Sequence, residues 1–119
     1  MTSVRAVFIN ARHTREVAAG ETIFREGDAG DYMYGVVSGE VEMRIGDHTV
    51  EKAGEGDVFG EMALIDKSKR AATAIATAPT SLAMIDQREF LFLVHETPTF
   101  ALQVMASLAN RLRKLDTEL

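Results

Sequence analysis

The sequence predicts a mainly β domain of the sandwich or barrel type, followed by helices. All nine glycines of the 119 residues lie between Gly20 and Gly60, and glycine supplies the positive φ that tight turns need. Short segments between closely spaced turns are typical of strands in sandwiches and barrels. The chain after Gly60 is poor in turns, and its end shows apolar residues at helical spacing.

The composition is that of an ordinary globular protein. Apolar residues make up 46% and charged residues 26% of the chain, and its length suits one domain with a core, so we expect a single domain over residues 1–119. The sequence offers no transmembrane span and no signal peptide, which predicts the cytoplasm and no membrane partner. Without cysteine, disulfides and thiolate chemistry are excluded. A net charge of −5 argues against a nucleic-acid partner.

Alternation predicts a β-hairpin in the glycine-rich half. Val41, Met43 and Ile45 alternate with charged residues, so we expect one face of this strand to lie in the core. Gly46-Asp47 then favours a hairpin turn, and residues 48–52 form the returning strand. Two further strands are predicted in the segments "YMYGVVSG" and "ETIFREGD".

The chain after Gly60 predicts one helical turn and two more strands. The short apolar run "EMAL" at residues 61–64 is long enough for about one turn of helix. Residues 71–78 and 81–85 contain β-branched residues at period two, which favours strands, and Pro79 separates them.

Two helices are predicted at the end of the chain. Asp86 and Glu89 resemble a capping box, and Thr97-Pro98 favours the start of a last helix that continues to the C-terminus. In that helix an a/d seam is formed by Ala101, Met105, Leu108, Leu112, Leu115 and Leu119. The seam lasts less than three heptads, so it fits either a homodimer or a helix packed on its own β-domain. We favour the homodimer.

The stretch "FGEMALIDKSKRAATA" contains the candidate binding site. Arg70 begins an alanine-rich run, and burying a guanidinium beside small apolar side chains is costly unless an anion pairs with it. Phosphate is the natural anion, because a guanidinium binds it through two parallel hydrogen bonds. Glu61 would repel a phosphate, unless its carboxylate accepts a hydrogen bond from a hydroxyl of the same ligand. The alternative is that Glu61 caps the turn and pairs with Arg70.

At these residues the sequence resembles a known family. "GDVFGEMALIDKSKRAATA" is similar to the phosphate-binding cassette of cyclic nucleotide-binding domains, of the catabolite activator protein and protein kinase A regulatory subunit type. The resemblance extends from about Val17 to Leu93. It implies a jelly roll, or double-stranded β-helix, with a short cassette helix. The β-roll is expected over about residues 14–86 and C-terminal α-helices over about 87–119.

The resemblance also implies the roles of five site residues. Arg70 is expected to hold the exocyclic phosphate oxygens, helped by the backbone N–H groups of Ala71 and Ala63. Glu61 and the backbone of Gly60 are expected to hold the ribose 2′-hydroxyl. The ligand implied is a cyclic nucleotide, and no cofactor in the strict sense is expected.

Departures from the family pattern refine this expectation. Lys69 stands where members often have proline, which loosens the loop. Ala71 lacks the hydroxyl that a threonine at this position offers to guanine, so we expect cAMP to be preferred over cGMP. Met105, Leu108 and Leu112 are weaker candidates for covering the purine, from the same chain or from a dimer mate.

Catalysis and metal binding find no support in the sequence. His13, His48 and His95 lie far apart in the chain and show no metal-ligand spacing, which also weakens a metal-cupin interpretation. We therefore expect a non-catalytic sensor that binds a cyclic nucleotide and acts on an unidentified protein partner through movement of its C-terminal helices. The alternative is a jelly-roll interaction module that binds no nucleotide and serves only in dimerisation or partner binding.

Overall fold

Two antiparallel sheets and C-terminal helices make up the fold. The structure is a computed structural model that describes Phe8 and residues 11–118, without the side chains of residues 111 and 114–118. The strands are β1 (His13–Val17), β2 (Thr22–Phe24), β3 (Met33–Ser38), β4 (Val41–Ile45), β5 (His48–Ala53), β6 (Val58–Phe59), β7 (Thr73–Ala76) and β8 (Thr80–Ile85). The helices within residues 11–118 are α1 (Met62–Ile65), α2 (Gln87–Glu96) and α3 (Pro98–Glu118).

The strands form a jelly roll. One four-stranded sheet has the order β1-β8-β3-β6 and the other the order β2-β7-β4-β5. Neighbouring strands are antiparallel, and the chain passes repeatedly from one sheet to the other. The prediction of a mainly β jelly roll with a short cassette helix and C-terminal helices is confirmed. Among these helices, none is both long and apolar enough to cross a membrane.

The predicted hairpin is β4–β5. Val41 pairs with Ala53 and Ile45 with His48, and Gly46 has a φ of +59° in the turn. Val41 and Met43 are buried, as the alternation predicts. Ile45, however, is 45% exposed, so its prediction as a core residue is wrong. It lies at the tip of the hairpin, directly before the turn at Gly46.

A buried threonine hydroxyl joins the β3–β4 turn to the start of β8. Thr80 is buried at the start of β8, and its Oγ1 accepts a hydrogen bond from Glu40 N (3.2 Å) and donates one to Ala78 O (2.8 Å). Gly39 has a φ of +99°, and a Cβ there would lie 2.3 Å from Thr80 Oγ1. The β3–β4 turn therefore requires glycine beside this threonine.

The core consists of two hydrophobic clusters. The first lies between the sheets and includes Val36, Val41, Phe59 and Leu82. The second joins the roll to the helices, and its buried members are Phe8, Met33, Val58, Leu64, Ala83, Ile85, Phe100 and Val104. The first half of α3 is thereby fixed to the β-roll by apolar contacts.

The starts of both long helices agree with the sequence. Asp86 caps α2, because its Oδ1 accepts a hydrogen bond from Glu89 N at 2.8 Å. In a capping box the side chain of Glu89 would accept a hydrogen bond from the backbone N–H of Asp86. Here Glu89 Oε1 accepts instead from the distant backbone N–H of Arg12, at 3.3 Å. Helix α3 begins at Pro98, as predicted.

The predicted seam of α3 is not the face that packs on the roll. Phe100 and Val104 make that contact, while Met105 and Leu112 of the seam are 58% and 63% exposed. The helix thus packs on its own β-domain through other residues and leaves much of the seam uncovered. The side chains of Leu115 and Leu119 lie outside the described part of the chain.

Candidate functional site

The cassette is a turn, one helical turn and a loop that returns to the roll. Strand β6 ends at Phe59, Gly60 follows with a φ of +77°, and α1 starts after Glu61. Leu64 N and Ile65 N both donate to Glu61 O, at 3.0 and 3.1 Å, which defines the predicted single turn of helix.

The returning loop is fixed to the β2–β3 connection by backbone hydrogen bonds. Arg70 N donates to Asp28 O and Gly27 N donates to Arg70 O, both at 2.8 Å. This two-way pairing fixes the backbone of Arg70 against that connection, so the direction of its side chain is set by the fold.

The guanidinium of Arg70 is buried, with only 6% of the residue exposed. Nη1 donates to Gly60 O at 2.9 Å and Nη2 donates to Tyr32 O at 2.6 Å. The Cζ atom lies 4.1 Å from the ring centroid of Phe24, in cation–π geometry. Nε has no hydrogen-bond partner among the described residues. The surroundings are therefore carbonyls and an aromatic ring, and the expected alanine methyl groups are not the main contacts.

Burial acts on the charge of this group. Loss of hydration lowers the pKa of the Arg70 guanidinium below its ordinary value. The acidic groups that oppose this shift are Tyr34, Asp28, Asp31 and Glu61. A bound anion would act in the same direction as these groups and favour the charged form.

Two glycines make room for the guanidinium. A Cβ on Gly30 would lie 2.4 Å from Arg70 Cζ and Nε, and one on Gly60 would lie 2.7 Å from Nη1. Both distances are far below van der Waals contact, so a side chain at either position would displace the guanidinium. Gly60 is also in the left-handed region of φ, which glycine adopts without strain.

Glu61 is fully buried beside the cassette helix. Its Oε1 accepts a hydrogen bond from Ser107 Oγ on α3 at 3.1 Å. Its carboxylate makes no cap hydrogen bond to α1, and the Nη atoms of Arg70 donate to backbone carbonyls. The capping half of the alternative interpretation is therefore wrong, while the charge of Glu61 still acts on Arg70 by raising its pKa.

One cavity borders the cassette and another lies beside α3. The first, of about 420 Å³, is lined by Ala29, Gly30, Asp31, Ala63, Leu64, Lys67, Lys69 and Gln87. The second, of about 390 Å³, lies between α3 and the β5–β6 region and is lined by Glu51, Lys52, Ala53, Asp57, Val58, Gln103, Ala106, Ser107 and Asn110. Both volumes lie in the range of small-molecule sites.

The structure brings most of the predicted site residues together, but not the purine cover. Gly60 and Arg70 are in direct contact, Glu61 directly follows Gly60, and Ala63 lies in the first turn of α1. Ala71 directly follows Arg70 and is exposed. None of Met105, Leu108 and Leu112 lines either cavity, and their role stays a prediction.

Sequence reasoning missed several residues of the site. Tyr32 contributes a backbone carbonyl, which any residue type provides, so no sequence signal was available. On α3, the polar residues Gln103 and Ser107 flank buried Val104, and this placement on an apolar helix face was a signal.

Comparison with known proteins agrees with the geometry. The family model described as "Cyclic nucleotide-binding domain" matches residues 14–97. This range includes the cassette, helix α2 and all eight strands, apart from the first residue of β1. The chain belongs to the cyclic nucleotide-binding domain family. The resemblance predicted from the cassette is confirmed.

Two relatives of this cyclic nucleotide-binding domain have names that refer to cyclic AMP. The "Cyclic AMP receptor protein" of Thermus thermophilus is 38% identical over 105 residues, which cover 84% of this chain and 49% of that protein. A "cAMP-dependent protein kinase regulatory subunit" of Debaryomyces hansenii is 37% identical over 90 residues, which cover 74% of this chain and 20% of that protein. The chain thus spans half or less of these relatives.

A solved structure shows the same fold. The crystal structure of the Thermus thermophilus catabolite activator protein matches with a TM-score of 0.77 at 36% identity. The match covers 89% of this chain and 52% of that chain.

We expect Gly60→Ala to lower stability more than Gly56→Ala. Both glycines have positive φ, at +77° and +84°, so both variants suffer left-handed strain of about 1–2 kcal/mol. Only the Cβ at position 60 meets Arg70, whereas the Cβ at position 56 meets nothing within 4 Å. Urea denaturation of the two variants measures the difference. The excess loss should vanish in an Arg70→Ala background, and its persistence there would contradict the contact.

Proposed function

We propose that this chain is a non-catalytic sensor domain, over residues 1–119, that binds a cyclic nucleotide. The observation that carries the proposal is the buried guanidinium of Arg70, whose Nε–H has no acceptor in the described part of the chain. A buried donor without an acceptor is costly, and a phosphate oxygen would satisfy it. The family of the chain and the names of its cAMP-related relatives support this ligand class.

The ligand groups are assigned from the cassette geometry. Arg70 binds the exocyclic phosphate oxygens, together with the backbone N–H groups of Ala71 and Ala63. Glu61 and the backbone of Gly60 bind the ribose 2′-hydroxyl. This assignment gives each charged side chain a ligand group of suitable chemistry, because a guanidinium donates and a carboxylate accepts.

Helix α3 is the element that carries the signal in this proposal. It contacts Glu61 through Ser107 and packs on the roll through Phe100 and Val104. In this proposal α3 has two positions, one packed on the roll and one moved away from it. A ligand that binds Glu61 interacts differently with these two positions, which is the condition for shifting a two-state equilibrium. The downstream partner is then a protein that contacts α3.

A second candidate is an interaction module that binds no nucleotide. It is favoured by one observation: the protein's own groups already contact the charged side chains of the site, since carbonyls accept from Arg70 and Ser107 donates to Glu61. Titration calorimetry with cAMP and with cGMP separates the candidates. Heat of binding supports the sensor, and its absence with both nucleotides supports the module.

We expect Arg70→Ala to weaken cAMP binding by about ten- to a hundredfold, because a charge-assisted pair to the phosphate is lost. Arg88→Ala is the matched control, since Arg88 is exposed on α2. Calorimetry measures both affinities, and circular dichroism checks that both variants are folded. Unchanged affinity in folded Arg70→Ala would refute the assignment of the phosphate site.

We expect cAMP to bind more tightly than cGMP, and Ala71→Thr to narrow the difference. A threonine hydroxyl next to Arg70 offers guanine a hydrogen bond worth about 0.5–1.5 kcal/mol, or about two- to tenfold in cGMP affinity. Ala71→Val is the control, because valine has nearly the same shape and no hydroxyl. Ala71 is exposed, so both side chains fit. An equal gain in both variants would show that the hydroxyl is not responsible.

We propose further that α3 forms a homodimer through its outer face. Leu102, Met105 and Leu112 are exposed there, at helical spacing and away from Phe100 and Val104. Apolar side chains in such a row favour association with a second helix of the same kind.

We expect the double variant Met105→Glu/Leu112→Glu to be monomeric in light scattering, where the original chain is dimeric. Charges on a helix face that pairs with itself repel and resist burial. Leu91→Glu is the control, because Leu91 on α2 is equally exposed but lies outside this row. A dimer that survives the double variant, or a monomeric original chain, would contradict the interface. Point substitutions are needed because truncation before α3 would uncover the core around Phe100.

A further inference from the structure

Helix α3 contacts the segment around the site through two polar side chains, one helical turn apart. Ser107 Oγ donates to Glu61 Oε1 at 3.1 Å. Gln103 Nε2 donates to Gly56 O in the β5–β6 turn. Gly56 and Glu61 flank β6, the strand that leads into the cassette. The inner face of α3 therefore bonds the chain on both sides of that strand.

The hydrogen bond of Ser107 is made to a group that needs donors. Glu61 is completely buried, and a buried carboxylate is destabilising unless hydrogen bonds satisfy its oxygens. Ser107 comes from an element outside the cassette, so its bond forms only while α3 lies against the roll. The position of α3 and the hydrogen bonding of Glu61 are thus linked.

Ser107 also borders open space. It lines the cavity of about 390 Å³ between α3 and the β5–β6 region, together with Gln103 and Asn110. Glu61 is not among the residues that line this cavity, but Ser107 connects the two, because its hydroxyl already donates to Glu61 Oε1. A ligand hydroxyl that reaches Glu61 from this side therefore approaches a carboxylate that already accepts from the helix.

We propose that Ser107 competes with the ribose 2′-hydroxyl of the nucleotide for Glu61. This inference rests on the proposed function and adds to it a residue that opposes binding. When the nucleotide hydroxyl donates to Glu61, the serine hydroxyl is displaced and α3 loses one of the two polar contacts described above, those of Ser107 and Gln103. Ser107 is a positioning residue for the empty state, and it lowers affinity only for ligands that carry the 2′-hydroxyl.

The test compares two ligands, cAMP and 2′-deoxy-cAMP, on the full chain and on Ser107→Ala. Loss of the competing hydroxyl should tighten cAMP binding by about ten- to a hundredfold, the range of one hydrogen bond to a charged group. Binding of 2′-deoxy-cAMP should stay nearly constant, because this analogue does not displace Ser107. The dissociation constant of 2′-deoxy-cAMP divided by that of cAMP should therefore be higher in Ser107→Ala than in the original chain, by about the same factor. Calorimetry gives all four constants.

Matched variants separate competition from general loosening of the helix. Ser107→Thr retains the hydroxyl and should keep the affinity of the original chain for cAMP. Thr99→Ala removes a hydroxyl from an exposed position on α3 and should change the affinity for neither cAMP nor 2′-deoxy-cAMP. Urea denaturation of each variant shows how much of any change in affinity accompanies a change in stability.

Each outcome decides one of the two proposals. If the original chain binds cAMP and Ser107→Ala tightens both ligands equally, the serine only holds the helix and the competition is refuted. Unchanged or weaker cAMP binding in Ser107→Ala refutes it as well, and weaker binding makes the serine a ligand contact. If the original chain binds neither nucleotide, the sensor function itself fails, and the competition fails with it.

Discussion

The structure of the site depends on one constraint, the burial of a permanent cation. The guanidinium of Arg70 loses water on folding, which lowers its pKa, and the protein replaces that water with two carbonyls and the ring of Phe24. Gly30 and Gly60 lack the side chains that would occupy the same space. These partners satisfy two nitrogens and leave Nε without an acceptor in the described chain, so the hydration that Nε loses on burial is not replaced there.

A second feature, apolar packing beside the cassette, places α3 next to the site. Strand β6 leads into the cassette, and its Val58 packs in one cluster with Phe100 and Val104 of α3. Apolar packing thus brings the helix within reach of Glu61, and Ser107 completes the contact. The cassette and the helix are therefore joined by a direct hydrogen bond, without any intervening chain of residues.

The sequence predicted what depends on residue type and spacing. Alternation gave the β4–β5 hairpin, the apolar run gave α1, and Asp86 gave the start of α2. The sequence could not predict the hydrogen-bond acceptors of Arg70, because Gly60 and Tyr32 contribute backbone carbonyls, which every residue carries. The packing face of α3 was missed for another reason. Its apolar residues lie around much of the helix, and only tertiary contact selects Phe100 and Val104 over the predicted seam.

Magnitudes indicate which part of α3 moves when its polar contacts are lost. Removing a fully buried Phe side chain such as Phe100 from the core costs about 1.5–3 kcal/mol, and Val104 adds a comparable amount. The hydrogen bond of Ser107, made to a carboxylate, is worth about 1.5–3 kcal/mol, which is less than the two apolar anchors contribute together. A ligand that replaces this bond therefore has too little free energy to detach the first turns of the helix. For the proposed sensor we infer that the movement is a pivot of the segment after Val104 about the anchor that Phe100 and Val104 form. Because coupling between sites is reciprocal, we expect a partner that holds this segment away from the roll to raise nucleotide affinity by the same factor.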